Sequence, residues 1–97
     1  METKKSYHDR KEAILNELTH KIDELRAKAD QGKAEAKTIY YEQIETLRAK
    51  QETIRKELRG LKDAGEDKWE GLKEGVEHAF SDLKKSFDNA IAKLKGK

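Results

Sequence analysis

From Ile14 onward the apolar residues of this chain advance by threes and fours: Ile14, Leu18, Ile22, Leu25, Ala29, Ala36, Tyr40, Ile44, Leu47, Ile54, Leu58 and Leu61. That spacing gathers them into one stripe on one face of a helix. Leu15, Ile22, Ala29 and Ala36, with Leu18, Leu25, Gly32 and Ile39, also fit the a and d positions of a heptad seam. The seam thins to Ala and Gly in its middle, where two backbones can approach closely.

A second spacing, of eleven, overlies the first. Ile14, Leu25, Ala36, Leu47, Leu58, Trp69, Phe80 and Ile91 are all apolar, and Leu61, Leu72, Leu83 and Leu94 form a parallel file. Val76 and Phe87 hold an equivalent place in the last two repeats. Eleven residues in three turns is about 3.67 per turn, so a helix following this repeat keeps a straight or slightly right-handed stripe and can lie flat along a partner.

The segment LRGLKDAGEDKWEG carries the strongest break signal. Gly65 suits the left-handed position that closes a helix, and Asp67 with Glu70 three residues on resembles a capping box. A helix over about 5–63, a turn at Ala64 to Glu66 and a second helix over about 67–95 follow. Gly32 offers a second break that would give three helices of similar length; glycine inside a helix is tolerated often enough that the continuous first helix is preferred.

Charge supports the turn at Gly65. Arg48, Lys50, Arg55, Lys56, Arg59 and Lys62 form a basic block, and Glu66, Asp67, Glu70, Glu74, Glu77 and Asp82 an acidic one. Folding back lays the two blocks side by side, which selects orientation more than it adds stability. The expected hairpin core is Leu47, Ile54, Leu58, Leu61, Trp69, Leu72, Val76, Phe80, Leu83, Phe87, Ile91 and Leu94. This arrangement leaves Ile14, Leu18, Ile22, Leu25 and Ala29 uncovered, so self-association through the first helix, or docking of another helical protein there, is expected.

Composition narrows the class. The chain is 34% apolar and 43% charged, and Ala, Glu, Lys, Leu and Arg supply 54 of its 97 residues, with no proline. That bias belongs to long helices and coiled coils. A net charge of only +2 and the periodic apolar positions set it apart from disordered chains. Without cysteine there is neither a disulfide framework nor a thiolate metal site. No apolar run suggests a signal peptide or a membrane span, and a cytoplasmic protein is expected.

Candidate chemistry is sparse. Glu17 and His20 have the Glu-x-x-His spacing of carboxylate-bridged di-iron bundles, but no second copy exists, and in a glutamate-rich helix the pair reads as solvated surface. His8 falls in an end expected to fray, and His78 stands apart. Ser6, Ser81 and Ser86 lack a base and an oxyanion loop. An enzyme is not expected, nor is a cofactor, a metal or a small-molecule substrate. Arg48, Arg55, Arg59 and Lys62 make one basic edge, yet nearby acids and the lack of interleaved aromatics argue against nucleic acid.

A lipid surface is the main competing partner. The elevens resemble, in repeat length and amphipathic pattern, the 11-mers of exchangeable apolipoproteins and late-embryogenesis-abundant proteins. Trp69, Phe80, Phe87 and Ile91, with Lys84, Lys85, Lys93, Lys95 and Lys97, would then dock on an anionic membrane. Against this, the same aromatics serve equally as hairpin core, with the lysines complementing the helix dipole.

Two strings, AKADQGKAEAKTIYYEQIETLRAKQE and GEDKWEGLKEGVEHAFSDLKKSFDNAIAKLK, resemble a family of short, uncharacterised bacterial coiled-coil proteins. The likeness covers about residues 20 to 95, through the Tyr-Glu-Gln-Ile element, the Gly-Glu-Asp junction, the Trp and the Gly-Val-Glu. Gly32 stands where alanine is expected, a departure that bears on the continuity of the first helix. The resemblance implies a coiled coil and carries over no functional residues. The chain is thus read as an all-α antiparallel helical hairpin or coiled coil, a structural or protein-interaction module that forms homo-oligomers. A reversible membrane-surface or stress-protective helix protein is the alternative.

Overall fold

The computed structural model of the chain describes residues 2–32 and 34–95, and the side chains of all of these except 34–36, 94 and 95. The described chain is all-helical: α1 spans Lys4–Gln31, α2 spans Ala34–Asp63 and α3 spans Trp69–Lys95. Where one helix over 5–63 was expected, two run back to back. Glycine is about 1 kcal/mol less favourable than alanine inside a helix, and Gly32 falls where the seam is thinnest. Reversal there lets α2 cover Leu15, Ile22, Leu25 and Ala29, which a straight helix would leave in water.

The start of α1 is fastened. Thr3 Oγ1 accepts from the Ser6 backbone N–H at 3.1 Å, and Ser6 Oγ accepts from the Thr3 N–H at 3.0 Å, a capping box with serine in place of glutamate. This places Tyr7, His8 and Lys11 in buried positions where fraying was expected at His8. The exit is plainer: Gly32 sits at φ −80° and ψ 172°, extended backbone, and its N–H donates to Ala29 O at 3.1 Å.

The second corner runs from Ala64 to Lys68, longer than the three residues expected. Gly65 O accepts from the N–H groups of both Lys68 and Trp69, at 3.0 and 3.1 Å. Gly65 does not use the left-handed region expected of it, since no glycine among the described residues has positive φ. Helix α3 begins two residues after Asp67, so Asp67 is not its cap. Lys4 Nζ reaches across to donate to Ala64 O at 2.8 Å.

Contacts fix the direction of each helix. Asp30, Asp23 and Thr19 of α1 meet Tyr41, Arg48 and Gln51 of α2, so these two are antiparallel. Lys50 meets Asp82, and Glu57 lies against Gly75, so α2 and α3 are antiparallel as well. Helices α1 and α3 therefore run the same way on either side of α2, in an up-down-up bundle measuring 51 × 19 × 17 Å. Of the two charge blocks expected to match along α2 and α3, only Lys50 and Asp82 pair across these helices among the described residues.

The bundle is packed on sevens. The inward positions are Leu15, Leu18, Ile22, Leu25 and Ala29 in α1, and Ile44, Leu47, Gln51, Ile54, Leu58 and Leu61 in α2. In α3 they are Trp69, Lys73, Val76, Phe80, Leu83, Phe87 and Ala90. Steps of three and four alternate throughout, the 3.5-residue period of a coiled-coil seam. Leu72, expected in the core from the file of elevens, is 38% exposed. Lys73 takes the inward place beside it, laying its stem over Trp69 with Nζ 4.4 Å from the ring centroid. Leu94, also expected in the core, has its side chain outside the described residues.

Candidate interaction site

Where α1 and α3 converge near their starts, a polar and aromatic knot joins them. Tyr7 and Trp69 pack with ring centroids 5.9 Å apart. The Tyr7 hydroxyl donates to Glu77 Oε1 at 2.7 Å, and Lys11 Nζ lies 2.7 Å from the same oxygen. Arg10, Lys11 and Lys73 stand 5.4, 5.6 and 5.2 Å from the Tyr7 ring centroid, within cation–π range. Burial, reinforced by the hydrogen bond to Glu77, pushes the Tyr7 phenol well above its ordinary pKa. The hydrogen bonds from Lys11 and then Tyr7 hold the Glu77 carboxyl below its ordinary range.

Beyond this knot an open groove lies between α1 and α3. Its floor is Ile14, Leu18, Phe80 and Phe87, with Lys21, Lys84 and Asp88 at its edges. Ile14 is 36% exposed there, and Leu18 and Phe87 are half-buried. The groove is apolar below and carries charges of both signs at the rim, with Lys11, Lys21 and Lys84 facing Glu77 and Asp88.

A second groove, between α1 and α2, is polar. His8, Glu12, Asn16, Arg55, Arg59 and Lys62 line it. His8 Nδ1 lies 3.4 Å from Asp9 and Nε2 3.9 Å from Glu12, so its ring is bracketed by carboxylates of its own helix. The basic edge expected along α2 is divided: Arg48 pairs with Asp23 and Arg55 with Glu52. Glu17 and His20 are both exposed, and no cluster of three metal-ligating side chains occurs among the described residues.

The residues expected to mediate self-association are split by the fold. Ile22, Leu25 and Ala29 are buried against α2 within the same chain, leaving Ile14 and Leu18 at the groove. Of the expected hairpin core, Leu47, Ile54, Leu58, Leu61, Trp69, Val76, Phe80 and Leu83 are buried, and Phe87 and Ile91 are half-buried against it. Polar residues placed inward escaped an apolar pattern, Lys11 and Gln51 among them. Lys11 is buried beside Glu77, and Gln51 is buried with its Nε2 donating to Thr19 Oγ1 at 2.7 Å. Gln51 was detectable as a polar residue seven before Leu58 and four after Leu47. Against family models, curated proteins and solved structures, the chain finds no match.

Proposed function

We propose that this protein is a structural, protein-interaction module that works helix against helix and self-associates through its first helix. The observation that carries this reading is the burial of Trp69, Val76, Phe80 and Leu83 inside the chain's own bundle, with Trp69 only 4% exposed. Of the four residues expected to dock on a membrane, Trp69 and Phe80 are among these, and Phe87 and Ile91 are half-buried against the same core. Here they are satisfied by Tyr7, Lys73 and the seam of α2, so a bilayer would have to compete with a packed core. No described helix is long and apolar enough to cross a membrane.

The bacterial coiled-coil resemblance belongs with the same proposal, since a heptad-packed bundle is what such a family would share. Two measurements test the function. Trp69 emission is blue-shifted in buffer and unchanged by anionic vesicles, and sedimentation gives a species larger than one chain. A blue shift that appears only with vesicles, together with co-sedimentation of protein and lipid, would overturn the proposal in favour of the membrane alternative.

A further inference from the structure

The seams of α1 and α2 share a spacing that neither helix needs alone. Leu18 and Tyr40, Ile22 and Ile44, and Leu25 and Leu47 are each 22 residues apart, two steps of eleven. In an unbroken helix 22 residues make about 6.1 turns, so the members of each pair would lie within about 40° of one face. The break between Gln31 and Ala34 therefore interrupts a stripe that is continuous in the sequence.

The contacts across the break are also symmetric. Asp30 pairs with Tyr41, Asp23 with Arg48 and Thr19 with Gln51, each pair centred within a residue of position 35. Two straightened chains laid antiparallel, with a twofold axis at that position, set Asp30 of one opposite Tyr41 of the other and repeat the match along both helices. Ala29, Gly32 and Ala36 keep the sequence small where the two would cross.

We infer that the surface through which this protein self-associates is its own α1–α2 interface, exchanged between two copies. Helix α1 swings out about Gly32, continues α2 as a single helix from Lys4 to Asp63, and packs on α2 and α3 of a second copy, which returns its own α1. This rests on the self-association proposed above and supplies what the surface does not, since Ile14 and Leu18 alone make a small contact. Every packing contact of α1 is reproduced between chains, as are the Asp30–Tyr41 and Asp23–Arg48 pairs. What changes is the corner, where among the described residues a backbone hydrogen bond runs from Gly32 to Ala29 O. A short hinge between helices that can join favours such exchange.

Isotope mixing tests it. Light and heavy protein are unfolded together, refolded at high concentration, separated by sedimentation and treated with a carbodiimide. The reagent joins Lys11 to Glu77 across 2.7 Å, from α1 to α3, and Lys50 to Asp82 across 2.8 Å, from α2 to α3. In exchanged dimers the Lys11–Glu77 crosslinks join light to heavy as often as like to like, while the Lys50–Asp82 crosslinks join only like to like. Gly32→Ala adds a Cβ whose nearest neighbours are the carbonyls of Ala29 and Lys28 at 3.5 and 3.7 Å, so it fits the closed corner. Because it also favours a continued helix in both copies, it raises the dimerisation constant about thirtyfold. Dimers whose Lys11–Glu77 crosslinks are all like to like overturn the exchange and leave self-association standing. Protein that stays monomeric, with Gly32→Ala as well, overturns both.

Discussion

At the corner between α1 and α2, Tyr41 donates to Asp30 at 2.6 Å with Arg26 over the Tyr41 ring, a surface tie beside the buried Ala29. Between α2 and α3 the chain takes five residues to turn, and the corner is built into the core. Trp69 is buried at its exit, Tyr7 packs on Trp69, Lys4 binds the Ala64 carbonyl and Lys73 covers both rings. Both corners carry a glycine, and among the described residues the second is held by a large buried ring, the first by a small buried side chain and a surface hydrogen bond. Glycine in a sequence marks where a chain can turn; the side chains around it decide how firmly the turn is held.

The largest test of that contrast is Trp69→Ala, which should cost about 3–5 kcal/mol by urea denaturation, because the ring fills the tied corner and relaxation cannot close the space. An equal loss from Tyr41→Phe at the other corner would erase the distinction. Next comes the packing period. Leu83→Ala, on both the seven and the eleven spacing, should cost about 2–5 kcal/mol, whereas Leu72→Ala, on the eleven alone, should stay within about 0.5. Comparable losses at both positions would restore the elevens as the packing rule.

Tyr7→Phe should cost about 1 kcal/mol through loss of the hydrogen bond to Glu77, and it should also alter the pH dependence of stability. The folded state raises the Tyr7 pKa, so that contribution is complete below the phenol's ordinary value of 10.0 and is lost as pH rises beyond it. Tyr7→Phe should flatten this alkaline fall. Glu77 has the opposite sign: its pKa is lowered, so its contribution is present above the ordinary 4.5 and disappears as pH drops through the lower folded value. Glu77→Gln should flatten the acid fall, measured as the urea midpoint against pH. The smallest effect is expected from Tyr41→Phe, whose midpoint should match that of the unaltered protein while amide exchange near Gly32 remains faster than near Gly65.

These contrasts also explain how far the sequence could be read. The helical class, the reversal near Gly65 and most of the core were legible because Leu47, Leu58 and Trp69 satisfy seven- and eleven-residue spacings alike, and Ile54 continues the sevens. Leu72 was misplaced because the two spacings diverge there and the decisive fact, Lys73 lying over Trp69, is a tertiary contact. The break at Gly32 was visible only as an option. A lone glycine costs a helix little, and what settles the matter is the apolar face of α1 finding cover on α2, an energy shared by residues far apart in the chain. Tyr7 and Lys11 were missed for a related reason: each is polar, and each is buried only because Glu77, some seventy positions later, supplies its partner.

Gln51 and Thr19 carry one last implication, about choosing company. A cell contains many helices with leucine every seven residues, and an apolar seam alone would accept a good number of them. An amide fixed at the middle of α2 disfavours many of them: a foreign helix laid in place of α1 with leucine opposite Gln51 would strand a buried donor, at about 1–3 kcal/mol. The hydroxyl of Thr19 accepts from that amide at 2.7 Å in the observed register. A polar interruption in the α1–α2 seam thus favours a hydroxyl over an apolar side chain opposite Gln51, and with it the observed register of α1 on α2.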